Sequence, residues 1–447
     1  MSLKPAMRQV LWLILLLLSA GRAWSQQIPG YNYDESKIPP YSLLDPLRLE
    51  NGTTVTTSSE WWSIRRPEIL RLFEENVFGR TPANAQVPLR VHQIEMDRNA
   101  LDGQAIRKQV DIFFTAKGEA GPYMRVLVYL PAHATHPSPV ILGLNFRGNQ
   151  TVLDDPHIQP TPVWSRPEGT TSLEHAQPGE ATRGSEIEEW QVRKILAHGY
   201  GIATAYYGDI EPDYKDASQY SVRQLFLRPN DAAPNVDDWG AIGAWAWGLS
   251  RALDYLQTDP DIDAKHVAVT GHSRLGKAAD WAAAQDLRFA AILSTESGKA
   301  GQSLSRRGLG ESIAHLEHSF PYWFCVNYAK WVGHDQEIPA DGNLLLSLLA
   351  PRPVYVASAV GDEWSDPRGE FLSAMSASRV YFLLGAGGLT NSEMPAVEHP
   401  VQGGNVAYHV RSGKHDVTAF DWDQYLQFLD THFHPQAALP SSRKQSR

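Results

Sequence analysis

"VTGHSRLGKAAD", Val269 to Asp280, decides the fold. The β-branched run "HVAVT" leads into it, Gly271 offers a sharp turn, and a run of small helix-forming residues follows. Strand, turn and helix in that order make a nucleophile elbow, which lifts a serine above the end of a parallel sheet. The usual elbow reads G-x-S-x-G. Here the second glycine, Gly276, comes one place late, Arg274 directly follows Ser273, and Lys277 stands four places on. The pattern marks Ser273 as a nucleophile at a helix N-terminus, where developing negative charge is favoured.

Outward from the elbow, apolar runs alternate with helical ones. "SPVILGLNF", "GIATAYYGD", "KHVAVTG", "FAAILSTES" and "RPVYVASAVGD" read as buried strands, and "RVYFLLGA" (residues 379–386) as a last strand or the piece before a loop. "WGAIGAWAWGLSRALDYLQT", the elbow helix and "DWDQYLQFLDTHF" read as helices. Strands without polar alternation, interleaved with helices, predict an α/β fold with a mostly parallel central sheet covered on both faces. Before them, "VPLRVHQIEM", "KQVDIFFTA" and "YMRVLVYLP" predict antiparallel strands, and "RPEILRLFEENVFGRTP" predicts a helix with Pro67 in its first turn. Residues 26–60 are expected to wrap the surface, and residues near 151–190 and 300–350 to be insertions, so that 26–436 form one catalytic domain and 437–447 a tail.

Lys4 and Arg8 precede "VLWLILLLLSA", Val10 to Ala20, and "AWS" follows at Ala23 to Ser25. A basic start, a short apolar run and a small-x-small site predict a signal peptide over residues 1–25, hence a secreted or periplasmic protein with no membrane span after cleavage. The only cysteine is Cys325, so no internal disulfide can form. Net charge is −10, and no Lys/Arg-rich run appears before Arg443–Lys444, which argues against a nucleic-acid partner. No metal-ligand spacing such as H-E-x-x-H occurs, and neither a metal nor another cofactor is expected. Fourteen tryptophans offer flat apolar faces that suit sugar rings or a core.

A serine hydroxyl needs a base, and in this fold the chain order is serine, acid, histidine. Of sixteen histidines, His415 in "SGKHDVTAFDW" lies in a glycine-containing loop just before the closing helix, with His399 and His409 as runners-up. Two acids compete: Asp362 in "GDEWSDP", after a strong strand, and Glu296, after the strand that follows the elbow helix. The backbone N–H of Arg274 is an oxyanion donor, and its forked, permanently charged guanidinium can be a second. Lys277, one helical turn beyond Ser273, can face the same mouth.

This set of residues resembles the glucuronoyl esterases of carbohydrate esterase family 15. The likeness covers most of the chain after the signal peptide. It rests on "NFRGNQTV" from Asn145, "YYGDIEPDY" from Tyr206, "AWAWGLSRALDYL" from Ala244, "GHSRLGK" from Gly271, "STESG" from Ser294, "RRGLGES", "FPYWF", "GDEWSDP" from Gly361 and "GKHDVTAFDW" from Gly413. It implies an α/β-hydrolase fold, a three-layer αβα sandwich. It also implies an enzyme that cleaves the ester between 4-O-methyl-glucuronic acid of glucuronoxylan and a lignin alcohol; a monomer is expected. Ser273 would be the nucleophile, His415 the base and Arg274 the oxyanion arginine, while Lys277, Glu311 and Trp364 would contact the uronate ring. Members differ over the acid, at the position of Glu296 or of Asp362, and Asp362 is favoured here. Rival readings are an esterase of other specificity, such as an acetyl xylan esterase, and a catalytically silent carbohydrate-binding relative. Many relatives bridge a cysteine before the serine to one after the histidine. Here those places are His272 and Asp416, and a polar contact between them is expected to stand in for the bridge. Gln302 lies near a pocket glutamine of some relatives.

Overall fold

In a computed structural model the described residues are 27–85, 87–115, 121–227 and 235–433; the expected signal peptide and tail lie outside them. The strands are β1 (Arg90–Asn99), β2 (Ala105–Phe113), β3 (Tyr123–Pro131), β4 (Ser138–Asn145), β5 (Val163–Ser165), β6 (Glu174–Ala176), β7 (Gly201–Tyr206), β8 (Ile262–His272), β9 (Ala291–Thr295), β10 (Val354–Ala359), β11 (Val401–Gly403) and β12 (Val406–Arg411). All but the β5–β6 hairpin join one sheet in the order β1-β2-β3-β7-β4-β8-β9-β10-β12-β11. From β7 to β12 along that order every neighbouring pair is parallel. The β1–β2–β3 meander and β11 extend the edges antiparallel.

The principal helices are α1 (Arg66–Asn76), α2 (Val192–Ala197), α3 (Ala241–Leu256), α4 (Arg274–Gln285), α5 (Ile313–Ser319), α6 (Gly342–Leu349), α7 (Pro367–Leu383) and α8 (Ala419–Phe433). The unbroken apolar strands have a simple cause. Side chains alternate between the faces of a strand, and here both faces are covered. Val267, Val269, Ile292, Val354 and Val356 enter a core shared with α1, α3, α4, α6 and α7. Ala268, Leu293, Tyr355 and Ala407 enter a second core shared with α2 and α8. Helix, sheet and helix form the three expected layers.

One expected strand is a helix. "RVYFLLGA" mostly completes α7, which Asp366 starts by accepting the Gly369 N–H at 3.0 Å, with Pro367 in the first turn. Phe371, Ala374, Ala377, Ser378 and Tyr381 recur at threes and fours and are buried, so the 3.6-residue period overrides the β propensity of Val380 and its neighbours. The last parallel strand is instead β12, "VAYHVR", buried throughout between β10 and β11.

Residues 151–190 are mostly loop around the β5–β6 hairpin, and residues 300–350 hold α5 and α6. Cys325 is buried, as a small hydrophobe would be. Among the described residues no helix is long and apolar enough to cross a membrane.

Candidate active site

β8 ends at His272 and α4 starts at Arg274, so Ser273 alone makes the turn, with φ +57° and ψ −128°. A non-glycine residue at positive φ is strained, and the surroundings hold it there. The Ser273 N–H donates to the Thr295 carbonyl at 3.0 Å, and its own carbonyl accepts the Lys277 N–H at 3.1 Å. Gly271 is required by close approach. A Cβ there would lie 2.1 Å from the Leu275 carbonyl oxygen, inside the first turn of α4. The displaced glycine, Gly276, sits where a Cβ would be 3.0 Å from the Ser297 Cβ. Arg274 opens the helix, so its N–H has no carbonyl within the helix to meet.

His415 lies between β12 and α8, and its Nδ1 is 2.7 Å from Asp362 Oδ2 and 3.2 Å from Glu296 Oε2. Asp362 and Glu296 leave the ends of neighbouring strands, β10 and β9, which is why residues so far apart in sequence meet. Burial alone would lower the His415 pKa. The hydrogen bonds and charges of the two carboxylates outweigh it and push the ring up to about 10. Burial tends to raise the Asp362 carboxyl, and the bond to His415 more than reverses this, holding it below the usual carboxylate range.

Glu296 is fully buried and binds more than the imidazole. Its Oε1 accepts from Arg411 at 3.0 Å, and its Oε2 accepts the Asp416 N–H at 2.9 Å. Arg411, at the end of β12, also donates to the carbonyls of Ser412, Lys414 and Asp416, and to Asp421 Oδ2. Glu296 and Arg411 thus tie the backbone of the histidine loop from beneath.

The His272–Asp416 contact does not form. No hydrogen bond or ion pair joins them among the described residues; both turn to Glu296, His272 Nε2 at 3.4 Å and Asp416 through its N–H. The His272 ring lies against His415, centroids 4.4 Å apart, and its Nδ1 is 3.8 Å from Glu189. Burial, then the charge of His415, lowers the His272 pKa. His272, Glu296 and His415 bring ligand-type atoms within 4.8 Å of one another. Glu296 is hydrogen-bonded to Arg411 and Asp416, and His415 Nδ1 to Asp362.

The runners-up are elsewhere. His409 is fully buried in β12 between the Tyr355 hydroxyl and Asp421, and His399 faces the Val397 carbonyl in an exposed loop.

The Arg274 guanidinium bonds Asp213 Oδ2 and lies over Trp323 at 4.7 Å, Phe320 at 5.4 Å and Phe146 at 5.9 Å. Asp213 Oδ1 accepts from the Tyr322 hydroxyl at 2.6 Å and from Trp323 Nε1 at 2.7 Å. Burial would lower the pKa of this arginine, but the Asp213 charge more than compensates. Sequence reasoning passed over Asp213, although it stands in "YYGDIEPDY", just beyond the end of β7.

Lys277 is buried rather than solvated. Its Nζ donates to the Ser297 carbonyl at 2.5 Å and is 3.4 Å from Glu311 Oε2. Glu311 also accepts the Lys299 N–H, and its own N–H donates to the Trp364 carbonyl at 2.9 Å. Trp364 is partly exposed, two residues beyond Asp362. Gln302 is fully buried, with its Nε2 on Asp280 at 3.1 Å.

These features fit known proteins closely. A family model described as "Glucuronyl esterase, fungi" matches residues 230–385. A prokaryotic protein named carbohydrate esterase MZ0003 is 43% identical over 425 residues, 94% of this chain and 97% of that one. The chain belongs to the glucuronoyl esterases, carbohydrate esterase family 15. Solved structures agree with that membership. A glucuronoyl esterase from Solibacter usitatus is 48% identical over 89% of this chain and 99% of its own, with a TM-score of 0.84. A structure described as a promiscuous CE15 esterase from a marine bacterial metagenome is 44% identical over 90% and 100%, with a TM-score of 0.83. The family's α/β-hydrolase fold is thus the fold of this chain, and it is a carboxylic ester hydrolase.

Proposed function

We propose that this glucuronoyl esterase hydrolyses the ester between 4-O-methyl-glucuronic acid on glucuronoxylan and a lignin alcohol, through an acyl-enzyme on Ser273. The observation that carries the reading is the 2.7 Å bond from His415 Nδ1 to Asp362, in the loop beside the Ser273 elbow. With Nδ1–H held by Asp362, the other ring nitrogen is the basic one, and it takes the proton of Ser273. The alkoxide attacks the uronoyl carbon. The Arg274 N–H and guanidinium stabilise the oxyanion. His415 returns its proton to the alcohol oxygen as the ester C–O bond breaks. Water then enters, gives a proton to His415 and attacks the acyl carbon; His415 passes that proton to Ser273 Oγ as the acyl C–O bond breaks, releasing uronic acid and free Ser273.

Lys277, Glu311 and Trp364 hold the sugar. A lysine and a carboxylate suit ring hydroxyls, and an indole suits the C–H face of a pyranose. The acidic protein carries its cations locally, at the carbonyl and at the sugar, which favours a uronic acyl group over acetyl. The signal sequence supports export, and nothing in the proposed chemistry requires a second copy of the chain, so a secreted or periplasmic monomer is the working form.

Hydrolysis of benzyl glucuronate against 4-nitrophenyl acetate tests the reading. A higher kcat/KM for the sugar ester is expected. A preference for acetate would favour the esterase of other specificity, and no turnover of either would favour the silent carbohydrate binder.

A further inference from the structure

Three rings meet behind the proposed sugar contacts, and each stands nearly perpendicular to the other two. Tyr31 and Trp364 lie 4.9 Å apart at 88°, His315 and Trp364 4.8 Å apart at 84°, and Tyr31 and His315 5.5 Å apart at 81°. The Tyr31 hydroxyl closes the triangle by bonding His315 Nδ1 at 2.9 Å. Burial lowers the His315 pKa.

Tyr31 comes from the start of the described chain, far in sequence from the pocket. Its segment is fastened to both pocket loops. The Asn32 carbonyl accepts the Gly310 N–H at 2.8 Å, next to Glu311, and Gln27 Nε2 donates to Glu363 Oε2 at 2.6 Å, next to Trp364. Farther on, Glu35 pairs with Arg307 at 2.6 Å. Beside the segment lies an open hollow of about 710 Å³ lined by Tyr31, Asn32, Tyr33, Lys37 and Gly308, polar groups of the kind that meet sugar hydroxyls.

An indole offered to a sugar needs a fixed plane, because stacking falls off as the ring tilts. Nothing covalent fixes Trp364 in its loop. Tyr31 and His315 grip it from two directions instead. We propose that Tyr31 is a positioning residue, which together with His315 sets the plane of Trp364, so that the segment Gln27–Asp34 forms one wall of the saccharide site. This rests on the reading of Trp364 as a sugar contact. The site then selects for a carbohydrate acyl group partly through a segment that carries no catalytic group.

The test uses the full secreted chain with Tyr31→Ala and Tyr31→Phe, on benzyl glucuronate and 4-nitrophenyl acetate. Edge-to-face pairs are of a size to change binding by about three- to tenfold. For Tyr31→Ala, KM for benzyl glucuronate should rise by that factor and exceed any fall in kcat. The preference for the sugar ester over acetate should fall accordingly. Tyr31→Phe keeps the ring and loses the hydroxyl, and should recover at least half of the change. An unchanged preference in Tyr31→Ala, or an equal loss on both esters, overturns the proposal, and so does Tyr31→Phe behaving as Tyr31→Ala. A wild-type chain that ignores benzyl glucuronate would overturn the functional reading itself, and this inference with it.

Discussion

Glu296 Oε2 stands 3.2 Å from the Nδ1 of His415 and at the same time accepts the N–H of the next residue, Asp416. A single buried carboxylate therefore bears on both the ring and the backbone that carries it, while Asp362 holds the ring more closely, at 2.7 Å. The two acids have separable duties, and the separation can be measured.

Asp362→Asn should be the more damaging change in turnover. An amide can present its N–H₂ to Nδ1 and so favour the wrong tautomer, a defect on the order of 10⁴-fold in kcat in serine triads. Steady-state kinetics on benzyl glucuronate checks this. Loss of less than tenfold would move the main acid to Glu296.

Glu296→Gln should cost less in turnover and shift the pH profile. The base works as neutral imidazole, so activity grows as pH rises through the His415 pKa, which the hydrogen bonds and charges of both carboxylates raise. Removing one of the two charges lowers that pKa, and the acid limb of kcat/KM should move to lower pH. A limb that stays in place or moves upward would show that Glu296 acts on the loop alone.

Arg274→Ala should lower kcat on the order of 10²- to 10³-fold, the usual effect of deleting one oxyanion donor. The rings of Trp323 and Phe320 and the carboxylate of Asp213 hold this guanidinium in one place, so Arg274→Lys should not restore the rate. Full activity in the lysine variant would reduce the arginine to a point charge.

Lys277→Met would leave Glu311 buried, 8% exposed, without its cation. Breaking a buried pair typically costs about 3–5 kcal/mol, whereas replacing both partners is far milder. Urea denaturation should therefore show a large loss for Lys277→Met and recovery of more than half of it in Lys277→Met/Glu311→Gln. Additive losses in the double variant would mean that the two groups do not depend on each other.

Much of the candidate site was legible because its residues sit at punctuation points of a parallel sheet. Ser273 follows a strand and opens a helix, Glu296 and Asp362 come just after strands β9 and β10, and His415 precedes the last helix. Those places are visible as changes of hydrophobic period. What escaped reading lacked such a mark. β12 is only six residues long and ends in Arg411, the brace of the histidine loop, whereas "RVYFLLGA" carried a stronger apolar signal and belongs to a helix capped from thirteen residues upstream at Asp366. Asp213 gains its meaning only when Arg274 meets it from the end of β8, two strands along the sheet from β7. The expected link of His272 to Asp416 is absent: His272 Nε2 stands 3.4 Å from Glu296 Oε2, while the Asp416 carboxylate accepts the Val417 N–H, contacts that no local pattern records. Tyr31 reaches Trp364 across more than three hundred residues, and no local pattern records that.

The central claim is that one serine hydroxyl, served by His415 and its carboxylates, performs the ester cleavage. The most direct measurement is turnover of benzyl glucuronate by the purified chain and by Ser273→Ala under the same conditions. The account predicts hydrolysis by the wild type and a loss on the order of 10³-fold or more in the variant. A variant within tenfold of the wild type would contradict it.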